Sequence, residues 1–171
     1  MPGSVEEAVS KANPTRNLKN CYNCVTATTL RMCGIDATAK SDTRMGKGRA
    51  FEDICKVFKV KEDEILHVTS PEVGRVQRNI LRKFKEGDVG AIGFTWNNPA
   101  LGDGHTMNWT IRNGKVEFMD GQVGKSNDFL MKYLSRYIDS NHEVEIARFA
   151  NAIQGLNLND DVDLDFLHEF V

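Results

Sequence analysis

Long apolar runs are missing from this chain of 171 residues, so no segment has the length needed to cross a bilayer as a helix. A strong charge of either sign is missing too. Lys and Arg number 22 against 24 Asp and Glu, a formal net charge of −2 that gives no electrostatic reason to expect a nucleic acid or an anionic membrane as partner. The opening MPGSVEEAVSKANP carries two glutamates where a secretion signal would be basic and then apolar. The expectation is therefore cytosolic synthesis, with any export by a route that reads no such signal or as part of a longer protein. Cysteines are few, four in all, which is too sparse for a secreted disulfide scaffold of this size. A zinc centre also lacks its parts: Cys21 and Cys24 have no second pair, Cys33 and Cys55 stand alone, and no two histidines have ligand spacing. Neither metal nor cofactor is expected, and no internal repeat or low-complexity stretch is present.

What is there is ordinary for a globular protein: 40% apolar and 27% charged residues. The length suits one domain, over residues 1–155, followed by an acidic amphipathic segment over 156–171 in which five acids and no Lys or Arg interleave with Leu and Phe. Helical spacing recurs over 3–12, from Cys21 to Met32 with Gly34 as a stop, over RAFEDICKVFKV, and over 71–87 with Pro71 opening the helix. SDTRMGKGR between them reads as a loop. The period then changes to two over 89–96 and 105–112, and Asn113-Gly114 followed by KVEFMD is a strong hairpin signal. Ser126 caps a further helix, and EVEIARFA makes a last strand. Helices first and a mostly antiparallel sheet afterwards define an α+β class.

A type I′ loop at Asn113-Gly114 pairs Arg112 with Lys115, Trp109 with Phe118, Met107 with Asp120 and His105 with Gln122. One face of this hairpin is plainly core, and at its open end sit His105 and Asp120, diagonal neighbours with Cβ atoms roughly 7 Å apart. Taken alone, such a pair is better read as a strand end and a turn residue. The cysteine-led helix changes the balance. Asn20 is a natural N-cap, which puts Cys21 in the first turn, where free N–H groups and the helix dipole favour a thiolate; an imidazole can take its proton and a carboxylate can orient that imidazole. Redox chemistry at Cys21 and Cys24 would call for a strand leading into the helix, whereas Asn17 to Asn20 is polar and follows a helix. Cys33 and Cys55 fall on apolar faces and read as core. Position favours Cys21 as nucleophile, with Cys24, about one turn further in, as the alternative.

Ala12-Asn13-Pro14, Asn20-Cys21 with Cys24 and Ala27, Arg31 before Gly34, Gly104-His105 with Asn108, and NGKV leading to Asp120-Gly121-Gln122 together resemble the papain-fold toxin domains of bacterial polymorphic toxins and their phage head-associated relatives. The resemblance implies a papain-like fold, with the nucleophile helix packed on the sheet, and a triad of Cys21, His105 and Asp120. Bacteriocin-processing cysteine peptidases are similar in using the first of two nearby cysteines; papain itself is similar to this stretch in the other register, so Cys24 stays open. Papain-like enzymes also place a glutamine ahead of the nucleophile as an oxyanion donor. This chain has Thr15, Asn17 and Asn20 there, and Asn17, Asn20 and Gln122 are the candidates for oxyanion or substrate binding. The expected activity is cysteine-dependent acyl transfer from a protein amide, as a toxin-type glutamine deamidase, with a peptidase or deconjugase of the same fold, or an inactive protein-binding module, as the alternatives. A protein substrate, a cognate immunity protein, and delivery into a target cell or carriage in a virion follow from the same resemblance.

Overall fold

A computed structural model describes residues 4–16, 20–40, 51–149 and 155–164. Along the chain come α1 (Val5–Lys11), α2 (Cys21–Met32), α3 (Phe51–Val57), β1 (Leu66–Val68), α4 (Val73–Lys83), β2 (Val89–Thr95), β3 (Gly104–Arg112), β4 (Lys115–Asp120), β5 (Lys125–Ser126), α5 (Asn127–Tyr137) and β6 (Val144–Arg148). The strands form one six-stranded sheet in the order β1-β6-β2-β3-β4-β5, antiparallel at every pairing. This is the α+β architecture that the change of period predicts.

Alternation along the strands divides the core in two. Ile92, Met107, Trp109, Ile111, Val116, Phe118 and Ile146 point to one face, where α4 supplies Val76 and Ile80 and α5 supplies Leu130 and Leu134. Ala91 and Ala147 point to the other, against Val25 of α2 and Phe51 and Ile54 of α3. Close approach on both sides depends on glycine: a Cβ at Gly90 would strike the Trp109 ring and the Ala147 carbonyl, and one at Gly93 would lie 2.8 Å from Phe51. Helix α2 is seated on the sheet by a polar bond as well. Buried Asn108 on β3 donates from Nδ2 to Thr29 Oγ1 at 2.8 Å and to Gly90 O at 3.0 Å.

The Asn113-Gly114 turn has φ of 55° and 73°, the double positive φ of a type I′ loop, and it sets the expected pairs Arg112–Lys115, Ile111–Val116 and Trp109–Phe118. The β3–β4 ladder stops at Asn108–Met119, however. Asp120 keeps a partner on the other edge of β4, Lys125 of β5, but the expected pairs Met107–Asp120 and His105–Gln122 do not form. The cause is the turn after Asp120: Gly121 packs against Ala12 and Thr28, and Gly124 takes φ 67°, peeling the chain away from β3.

Other expectations shift at their edges. Pro71 lies outside α4, whose N-cap is Glu72, and α3 ends at Val57 because Lys59 adopts a positive φ of 50°. The loop expected over 41–49 lies outside the described residues, as does the end of the acidic segment beyond 164. Its described part folds into turns stapled by Asn157 with Asp160 and Asp161, buries Val162, and hydrogen-bonds back through the Asp163 amide to Val57 O at 2.7 Å.

Candidate active site

The end of the sheet where β3 begins and β4 finishes is also where α2 starts. His105, the second residue of β3, donates from Nε2 to Asp120 Oδ2 at 2.7 Å, and both side chains are nearly enclosed, 8% and 4% exposed. The other carboxylate oxygen, Oδ1, accepts the Gln122 backbone N–H at 3.0 Å, so the carboxylate is held at both ends. With Nε2 engaged, Nδ1 is the nitrogen left to exchange a proton, and Cys21 lies close enough to this ring to act on its proton affinity. Thus three residues separated by 15 to 99 positions in the chain meet at one place.

Burial marks three of the four thiols. Burial pushes Cys24 far above the ordinary thiol range, with Asp120 and Cys21 adding to it, and burial lifts Cys33 and Cys55 to about 12. Cys24 is 1% exposed and spends its S–H on Asn20 Oδ1 at 3.4 Å. Cys21 is partly exposed at the first residue of α2, ahead of Cys24, whose N–H makes the first intrahelical bond to Asn20 O at 3.0 Å. His105 shows a contest of causes: burial works to lower its pKa, but the charge and hydrogen bond of Asp120, helped by Cys21, raise it to about 10. A ring in that state is an imidazolium at neutral pH.

Trp96, just past the end of β2, stacks on the His105 ring with centroids 5.2 Å apart and planes at 23°, and Phe94 closes the ring's edge at 5.8 Å. The histidine is thus clamped by a carboxylate and two aromatic side chains.

The asparagines of the opening motif do something the sequence did not suggest. Asn20 stands at the N-cap position without capping; its Nδ2 donates to Asn13 Oδ1 at 3.0 Å and to Lys40 O at 3.1 Å, and its Oδ1 accepts from Cys24 and from Gln122 Nε2 at 3.5 Å. Asn13 in turn donates to Gln122 O at 3.0 Å. A buried polar network therefore joins the end of α1, the start of α2 and the turn after Asp120. Both amide hydrogens of Asn20 are committed within it, whereas among the described residues the Gln122 amide spends one of its two, on Asn20. Asn17 lies outside the described residues. Asn13 and Trp96 went unassigned at the sequence level; the ANP motif was a signal for the first, and nothing local marks the second. Among the described residues no group of three or more His, Cys, Asp or Glu could hold a metal.

Residues 19–125 match the family described as papain fold toxin 1, glutamine deamidase. The chain belongs to this family. A papain-fold toxin of this kind is a thiol hydrolase of the amidase type. Among solved structures, the G161 variant of the Salmonella effector SpvD is similar with a TM-score of 0.63 at 13% identity, over 87% of this chain and 81% of that one. The R161 variant gives 0.55 at 14%, over 84% and 76%. These likenesses carry the fold. No curated protein gives a significant match.

Proposed function

We propose that this papain-fold toxin deamidates glutamine side chains in a protein substrate, with Cys21 as nucleophile, His105 as general base and acid, and Asp120 as its orienter. The observation that carries the reading is the His105 ring, bonded to Asp120 at 2.7 Å and close enough to Cys21 for the sulfur to act on its proton affinity. Sulfur attacks the carboxamide carbon, and the C–N bond breaks as His105 hands its proton to the departing ammonia. Water then attacks the thioester, giving up a proton to His105, and returns the thiol with a glutamate side chain as product. The tetrahedral oxyanion is held by the Cys21 backbone N–H at the start of α2 and by the spare N–H of Gln122 Nε2. Asn20 acts from behind by fixing Gln122, and its amide is too occupied to serve as donor.

Peptide-bond cleavage uses the same steps with a chain amine as leaving group. The family description, which names glutamine deamidation, favours the side-chain amide. As a toxin, the protein would act inside a target cell, by delivery or as virion cargo, and its producer would need a neutralising protein partner.

Mass spectrometry tests the substrate assignment. The protein is incubated with a mixture of cell proteins, with Cys21→Ala as control, and peptides are searched for gains of about one mass unit at glutamine and for new chain termini. Gains dependent on Cys21 are expected; new termini in their place would assign a peptidase, and neither change would assign a binding module.

A further inference from the structure

Among the large apolar side chains that stay exposed is Phe129, at 51%. A single exposed apolar residue is commonplace. This one lies at the end of a continuous aromatic path that starts on the reacting ring. Trp96 stacks on His105 at 5.2 Å, Tyr133 meets Trp96 edge-on at 5.5 Å, and Phe129 stacks on Tyr133 at 5.9 Å with planes at 19°. Gly102, just past the turn Pro99–Leu101, lies beside the same tryptophan, a Cβ there falling 4.0 Å from its Cδ1. Cations border the path: the Lys125 ammonium lies 5.6 Å from the Phe129 ring centre and the Arg136 guanidinium 5.4 Å from that of Tyr137. Among the described residues neither is in an ion pair.

We propose that this strip, exposed Phe129 and half-buried Tyr133 resting on the buried Trp96, docks the protein substrate, and that it takes a segment with an aromatic or large aliphatic side chain flanked by carboxylates. The proposal rests on the hydrolase reading above and names the chemistry its site selects. Continuity with His105 ties the strip to the target amide: ring-to-ring steps of 5.2 to 5.9 Å put Phe129 within about five residues of an extended chain whose amide sits at the histidine. Free glutamine could not span that distance, so a surface of this length is useful only to a polymer. Charge sets the rest of the preference. An ammonium resting on a ring keeps N–H groups free for a carboxylate, and burying the ring under a partner's side chain dries that contact.

Binding tests this without turnover. Fluorescently labelled glutamine peptides are titrated by anisotropy against the full chain carrying Cys21→Ala: one with Phe-Asp-Asp within reach of the strip, one with Phe-Lys-Lys, one with Ser-Asp-Asp. The first is expected to bind at least about tenfold more tightly than either of the others. Phe129→Ser should abolish the advantage of Phe over Ser, and Lys125→Glu should invert the preference between the acidic and basic peptides; both residues are exposed, and the inversion reports a folded protein. Equal binding of all three peptides, or preferences untouched by either variant, overturns the proposal. Alkylation of Cys21 in the unmodified chain is independent of the strip. A reactive Cys21 with no peptide preference removes the docking surface alone, and a peptide preference with an unreactive Cys21 removes the hydrolase reading alone.

Discussion

Replacing Asp120 by asparagine keeps the shape of the side chain and one hydrogen-bond acceptor for His105 while removing the charge. At about 1.36 kcal/mol per pH unit, holding the ring's pKa at about 10 and not at the ordinary 6.5 corresponds to roughly 5 kcal/mol of preference for the imidazolium. Without the carboxylate, burial is left as the main influence, and it acts in the opposite direction. In Asp120→Asn the His105 titration should therefore fall to 6.5 or below, read directly by nuclear magnetic resonance of the labelled imidazole in the full chain. Because folding raises the proton affinity of this ring, the stabilisation is complete below pH 6.5 and is lost as the pH climbs through about 10. The variant should thus be less stable than the parent by a few kcal/mol at the acid end of that window, with the gap closing at its alkaline end, measured by urea unfolding. Hydrolysis should slow roughly 10²- to 10⁴-fold as the general acid is lost at neutral pH. A variant ring that titrates like the parent's, or a parent ring that titrates near 6.5, refutes the reasoning.

Asn13→Ala removes the donor to Gln122 O and the acceptor for Asn20, leaving buried partners unmatched; a loss of roughly 2–4 kcal/mol by urea unfolding is expected, together with slower hydrolysis at unchanged KM. Gln122→Ala should lower kcat by about 10²- to 10³-fold with little change in KM, while the backbone bonds of residue 122 to Asp120 and Asn13 persist. For Gly121→Ala, the new methyl would press on Thr28 Oγ1 and lie 2.8 Å from Ala12 Cβ, so a destabilisation of roughly 1–3 kcal/mol is expected in thermal unfolding.

Local chemistry made part of this legible in the sequence. Asn113-Gly114 can close a hairpin in essentially one way, so the pairs nearest the turn follow from two residues. The pairs furthest from it do not, since a glycine packed on Thr28, distant in sequence, decides where the ladder ends. His105 and Asp120 still meet, across a different backbone path from the expected one, because both remain at the same end of the sheet. Strand β1 was invisible: at three residues, paired only with β6, it has too few positions to show a period. The insertion of β6 between β1 and β2 is likewise a property of the closed sheet and of no local pattern. In the same way Asn20 has the chemistry of a cap, yet buried partners from Asn13, Lys40 and Gln122 outcompete the helix for its side chain.

Whether Cys21 is an activated thiol is best measured by its alkylation. Iodoacetamide at neutral pH, followed by peptide mapping, should modify Cys21 at least about tenfold faster than Cys24, Cys33 or Cys55, and His105→Ala should take that advantage away. Labelling of Cys21 that is as slow as that of the buried thiols, and indifferent to the loss of the imidazole, would contradict the account.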